Sequence, residues 1–277
     1  EDLAREGGSA NHAQVRNLIA ELLDERAARE GMRRAMMCER MYQVDIHKVL
    51  MRGNTTMSAM FGWGGGPTLS VSDVAWRHAL GPALTLDVVA ALRDTTRLVE
   101  AAGAASFFDV PAGRKDFAEQ FGFQSLLHPF RSYLLTSFER VDQYFRMLAK
   151  RRLAGTALAI RLYEVDHSRC PEALAELVPE YLPVVPQDPF AEAGRAIVYL
   201  PSAAHPIVYS VGVNGVDDGG DPKRRNTITK GYWQPDFVFF LDGRREKDDA
   251  EEKASPTSAQ AGEDQKKIEE DEGDADE

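Results

Sequence analysis

From about Leu126 to Asp166 one apolar stripe recurs at helical spacing, carried by Phe130, Leu134, Val141, Phe145, Leu148, Leu153, Leu158 and Leu162. A stripe this long predicts one long helix against which the rest of the chain must pack. Pro129 suits its first turn, where a missing amide hydrogen leaves no bond unmade. Gly155 is tolerated inside it at about 1 kcal/mol relative to alanine.

The segment before this run also reads as mainly helical. Residues 11–52 predict helix, with Asn11 as N-cap and Val15, Leu18, Ile19, Leu22 and Leu23 on one face. Met36, Met37, Met41, Val44 and Val49 then read as adaptable core, which suits the pliable methionine side chain. Residues 52–73 interrupt the pattern with Gly53, Gly62, Gly64, Gly65, Gly66 and Pro67, and Phe61 and Trp63 stand there as anchors. Helical spacing returns at Ser72–Arg77 and at 84–102, where Leu86, Val89, Ala90, Leu92 and Val99 make the apolar face. A short helix is expected at Gly113–Phe121.

Beyond Asp166 the period changes. Pro171–Val178 predicts a short helix, and Pro179, Pro183, Pro186 and Pro189 mark an extended, turning stretch. Ala196–Leu200, Pro206–Val211 and Phe237–Leu241 have the β-branched and aromatic content of strands. From Arg244 onward, 14 acidic residues face 6 basic ones, a net of −8. Ile268 is the only bulky apolar residue there, so disorder is expected. The fold class is therefore α+β, mainly α. A helical body (1–125) leads into a long helix on a small antiparallel sheet (126–243), and an acidic tail follows (244–277).

Charge and composition exclude several classes. The whole chain carries −11, which leaves about −3 on residues 1–243 and no basic face for nucleic acid. Without a CxxC pair, a zinc ribbon is excluded; Cys38 and Cys170 are compatible with either one long-range disulfide or two thiols. No apolar run approaches the length of about 18 residues needed to cross a bilayer. The first residue is Glu1, so any membrane attachment is expected through an anchor upstream.

Between Leu153 and Leu241 a signature accumulates. Tyr163, Asp166 and Pro171 form a Tyr-x-x-Asp-x-x-x-x-Pro helix end. Pro186, Asp188 and Pro189 make a Pro-x-Asp-Pro turn, and Ser210, Gly212 and Gly215 make a Ser-x-Gly-x-x-Gly turn before an acidic, glycine-rich loop. In this order the motifs resemble the globular part of type II secretion major pseudopilins, over about a third of the chain. The whole arrangement is similar to a class of large, uncharacterised bacterial membrane-anchored proteins with a helical body and this carboxy-terminal signature. Independently of the resemblance, the long helix is expected to lay Leu158, Leu162 and Val165 on one face of a three-stranded antiparallel sheet; the resemblance implies a calcium loop.

Asp217, Asp218 and Asp221, with Asp236, are the candidate Ca²⁺ ligands, because hard cations take several carboxylate and carbonyl oxygens. The bland alternative is an acidic turn whose aspartates cap backbone amides. Asp166 and His167 lack a nucleophile in a recognisable context, and Asp166 is expected to hold amides of the next turn. His12, His47, His78, His128 and His205 show no zinc spacing. Glu21, Asp24 and Glu25 read as a solvated face.

The expectation is a non-catalytic structural or interaction protein of the cell envelope, on its extracytoplasmic (periplasmic) face, with a protein partner. A pseudopilin-related secretion subunit and a hydrolase with a site assembled from distant residues are the alternatives.

Overall fold

The computed structural model describes residues 8–53, 71–110, 129–201, 205–220 and 236–242. The expected glycine-rich break at 54–70, the Gly113–Phe121 helix and the tail from Arg244 lie outside them. Four long helices are described: α1 (Gly8–Leu23), α2 (Arg26–Met51), α3 (Val71–Ala101) and α4 (Pro129–His167). Three short strands follow: β1 (Val198–Leu200), β2 (Ile207–Ser210) and β3 (Phe237–Phe240). The chain is mainly helical with a small antiparallel sheet, as its two periodicities predict. Among the described residues no helix is long and apolar enough to cross a membrane.

The 39 residues of α4 span about 58 Å, and Pro129 opens the helix as its first residue. That length lets α4 enter three separate cores. Phe130 closes one with Ile46, Leu50, Leu84 and Val88 of the α2–α3 hairpin. Val141, Tyr144, Phe145 and Leu148 build the second with Met32, Met36, Leu98 and Phe190. Leu153, Ile160, Leu162 and Tyr163 build the third with Ile19 of α1, Leu177, Leu182 and the sheet.

Helices α2 and α3 meet along a narrow seam. On α2 the buried positions are Met32, Met36, Glu39, Gln43, Ile46 and Leu50, alternating four and three residues apart. Leu84, Val88, Ala91, Thr95 and Leu98 answer on α3. This corrects the expected faces: Met37, Met41 and Val49 are exposed, as are Leu86 (71%) and Val89. The helix from 11–52 is in fact two, broken at Asp24 and Glu25, and α1 starts at Gly8 rather than at an Asn11 cap.

In the sheet, β2 is central and antiparallel to both neighbours, with Tyr199 opposite Val208 and Val208 opposite Phe239. Val208 and Leu241 are buried against α4, with Tyr199 and Phe237 packed beside them. Leu162 joins this packing as expected, but Val165 is 66% exposed and does not. Ile207 and Tyr209 lie against the loop after β2, where a side chain on Gly220 (φ 77°) would come within 2.5 Å of Ile207.

Candidate functional site

The loop 211–220 leaves β2 and folds back so that Asp217 and Asp218 lie near Asp236, which precedes β3. Asp236 is 4% exposed; its Oδ2 accepts the Gly220 amide at 2.8 Å and its Oδ1 the Asp218 amide at 3.4 Å. Asp217 Oδ1 accepts the Tyr209 hydroxyl at 2.9 Å and the Gly219 amide at 3.1 Å, and its Oδ2 lies 3.7 Å from Arg195. Asp218 Oδ2 accepts from Asn214 Nδ2 at 3.3 Å.

Three of the four proposed ligands therefore share one corner, and Asp221 lies outside the described residues. Burial pushes the Asp236 carboxyl above its ordinary value; the two amides oppose this, and the charges of Asp218 and Asp217 add to it. Burial and Asp217 push the Tyr209 hydroxyl upward too. The three carboxylates cap amides and hydroxyls, and among the described residues no three acidic, histidine or cysteine side chains converge as a coordination set. As placed, Asp217, Asp218 and Asp236 do not by themselves enclose a cation.

The Pro-x-Asp-Pro turn has a clear physical role. Asp188 is 1% exposed, yet its carboxylate is fully answered: Oδ1 accepts the Phe190 amide at 2.9 Å and the Ser210 hydroxyl at 2.7 Å, and Oδ2 the Val211 amide at 2.8 Å. The motif aspartate thus ties its turn to the serine that ends β2. The segment after α3 is stapled to the same turn. The Phe107 amide donates to Pro189 O at 2.8 Å, and the Phe107 ring meets Phe145 and Phe190 edge to face.

The other signature residues hold the end of α4. The Tyr163 hydroxyl donates to Glu176, which also accepts from Arg169 and the Glu172 amide, and Tyr163 foremost holds that carboxyl down at about 2. Asp166 accepts the Tyr181 hydroxyl at 2.8 Å and sits 3.4 Å from His12 of α1. This replaces the expected role of holding backbone amides. Burial, with Asp166, raises the Tyr181 hydroxyl to about 12. Both carboxylates are engaged by donors from neighbouring elements, and so tie the end of α4 to the turns that follow it.

A further junction was hidden in the sequence. Glu25, read as solvated, lies in the α1–α2 break with its side chain 11% exposed. Arg152 of α4 grips it at 2.6 and 2.9 Å and donates to Gln187 O at 2.7 Å; Arg29 adds a bond at 2.9 Å. Its partner lies 127 residues away, so no local spacing could reveal it. Cys38 and Cys170 are both free thiols.

No family model, curated protein or solved structure matches the chain.

Proposed function

We propose that this is a non-catalytic structural or interaction protein of the cell envelope, exposed on its extracytoplasmic side, whose carboxy-terminal unit is a pseudopilin-like module. The observation that carries this reading is the use of the signature residues. Tyr163 and Asp166 tie the end of α4 to Glu176 and Tyr181, Asp188 ties its turn to Ser210 and Val211, and these polar atoms face protein donors and acceptors. Such a module serves as a rigid cap or docking element, with the helical body as its support. Cys38, exposed on α2, provides the test. A membrane-impermeant maleimide should label it in intact cells whose outer membrane alone has been permeabilised. Labelling only after full lysis would place the body inside the cell and end the proposal.

A calcium site in the loop is a second reading, favoured by the accumulation of negative charge around buried Asp236. A divalent cation held by Asp217, Asp218, Asp221 and Asp236 would relieve it. Millimolar Ca²⁺ should raise the melting temperature of the native chain, and Asp236→Asn should abolish the rise. An unchanged melt of the native chain removes calcium and leaves the envelope reading standing.

A further inference from the structure

Helix α2 carries a second seam. Glu30, Arg34, Met37, Met41, Val44 and Lys48 alternate four and three residues apart, the spacing with which one helix seats another. The buried seam that meets α3 uses the same spacing about half a turn around, so the two stripes lie on opposite sides of α2. The outer stripe is open to solvent: Met41 is 68% exposed and Met37 46%. Methionine is pliable and common at protein-binding surfaces. Apolar side chains left in water at a helix-pairing period mark a surface for another helix.

The charges of the stripe select its occupant. The apolar residues lie in the middle, and Glu30 and Lys48 stand at the ends, nine residues before and nine after position 39. A second copy laid antiparallel about that position sets Met37 level with Met41 of the other copy. It also sets each Glu30 level with the other copy's Lys48, about 13.5 Å to either side of the two-fold axis. Val44 then meets the aliphatic stem of Arg34. A parallel pair would instead oppose Glu30 to Glu30, Arg34 to Arg34 and Lys48 to Lys48. An antiparallel pair slipped by one heptad would put Lys48 over Met37 or Glu30 over Met41 and lose both ion pairs. One orientation in one register thus suits the apolar and the charged positions together. The exchange costs little, because Glu30 now accepts from Arg34 at 2.8 Å and Lys48 lies 3.4 Å from Asp45 in exposed pairs within the helix. Along one edge Arg40, also exposed, comes near its own copy and limits the affinity. Along the other edge the exposed Cys38 stands close to the axis.

We propose that α2 is a dimerisation helix, pairing antiparallel with α2 of a second copy through Met37, Met41 and Val44, with reciprocal Glu30–Lys48 contacts at both ends. Analytical ultracentrifugation of the full chain over a concentration series tests this. The expected result is a reversible monomer–dimer equilibrium. Met41→Glu changes an exposed position, so it should weaken the dimer by at least about tenfold while the circular dichroism spectrum and the melt of the monomer stay unchanged. Glu30→Lys and Lys48→Glu should each weaken it several-fold, and the double exchange should return it to the native value. A short-spacer bis-maleimide should join Cys38 to Cys38 of the second copy, a product that peptide mapping by mass spectrometry distinguishes from any link to Cys170. A native chain that stays monomeric up to about 1 mM, as it would if the stripe seats a helix of another protein, overturns the proposal. So does a dimer indifferent to Met41→Glu, or a double exchange no tighter than the single ones.

Discussion

Replacing Glu25 with alanine should destabilise the protein by about 3 kcal/mol, although a reading by neighbours alone puts this residue on a solvated face. The figure follows from geometry. Both side chains of the Glu25–Arg152 pair are 11% exposed, and the contact is two-pronged at 2.6 and 2.9 Å. Removing one partner of a buried pair costs about 3–5 kcal/mol, because the other charge is stranded away from water. The lower end applies, since Arg152 keeps its bond to Gln187 O and the site retains an edge of solvent. For a chain of this size the loss corresponds to a fall in melting temperature of about 6–12 °C. A double-mutant cycle with Arg152→Met, read by urea unfolding at pH 7, should give a coupling of at least about 1.5 kcal/mol. The pH dependence has a definite sign. Burial raises the Glu25 carboxyl, but hydrogen bonds and charge from Arg152 and Arg29 outweigh it and hold the value below the ordinary 4.5. The pair's contribution is therefore complete above that pH and is lost as pH falls through the lowered folded value. The native chain's advantage over Glu25→Gln should shrink in acid and persist in mild alkali. A coupling below about 0.5 kcal/mol, the range of exposed pairs, would refute the reasoning.

Asp188→Ala leaves the Phe190 and Val211 amides and the Ser210 hydroxyl without their acceptor, and should cost at least about 3 kcal/mol in urea unfolding. Gly219 and Gly220 both have φ above +70°, but a Cβ on Gly219 meets open space while one on Gly220 strikes Ile207. Thermal melts should therefore show Gly219→Ala costing about 1–2 kcal/mol for the backbone alone and Gly220→Ala clearly more. Leu98→Ala, in the α2–α3 seam, should cost about 3 kcal/mol or more, whereas Leu86→Ala should stay within about 0.5 kcal/mol by chemical denaturation.

The parts legible in the sequence are those set by local pattern. α4 shows because its stripe runs unbroken, and the strands show because short β-branched and aromatic runs sit between turn residues. The α2 face was misread for a physical reason. Its seam carries Glu39 and Gln43, while Met37 and Met41 lie outside it, so hydrophobicity alone points the wrong way. One oxygen of each is met from another helix, Glu39 Oε1 by Arg140 of α4 and Gln43 Oε1 by the Thr95 hydroxyl of α3 at 3.2 Å, while Glu39 Oε2 and Gln43 Nε2 are buried without a partner. Glu25 and Asp166 too are met from a distance, by partners 127 and 15 residues away. Spacing located three aspartates of the acidic loop, but it carried no information on whether their oxygens turn inward to a cation or outward to amides.

These cross-helix polar contacts also explain why the helical body and the sheet module are not independent. Apolar seams between two helices tolerate sliding by a turn, whereas Glu39 and Gln43 find Arg140 and Thr95 in one register only. That register is thus set partly by α4. Further along the same helix, Arg152 fixes the α1–α2 break through Glu25 and the Pro-rich turn through Gln187 O. One turn beyond the Glu39 contact, Phe145 packs on Phe107 and Phe190, which brings the segment after α3 onto the turn that Asp188 ties to β2. A shift of α4 along its axis would therefore break charged contacts in the body and aromatic contacts at the sheet together. The position of the module is specified by the same rigid element that specifies the bundle.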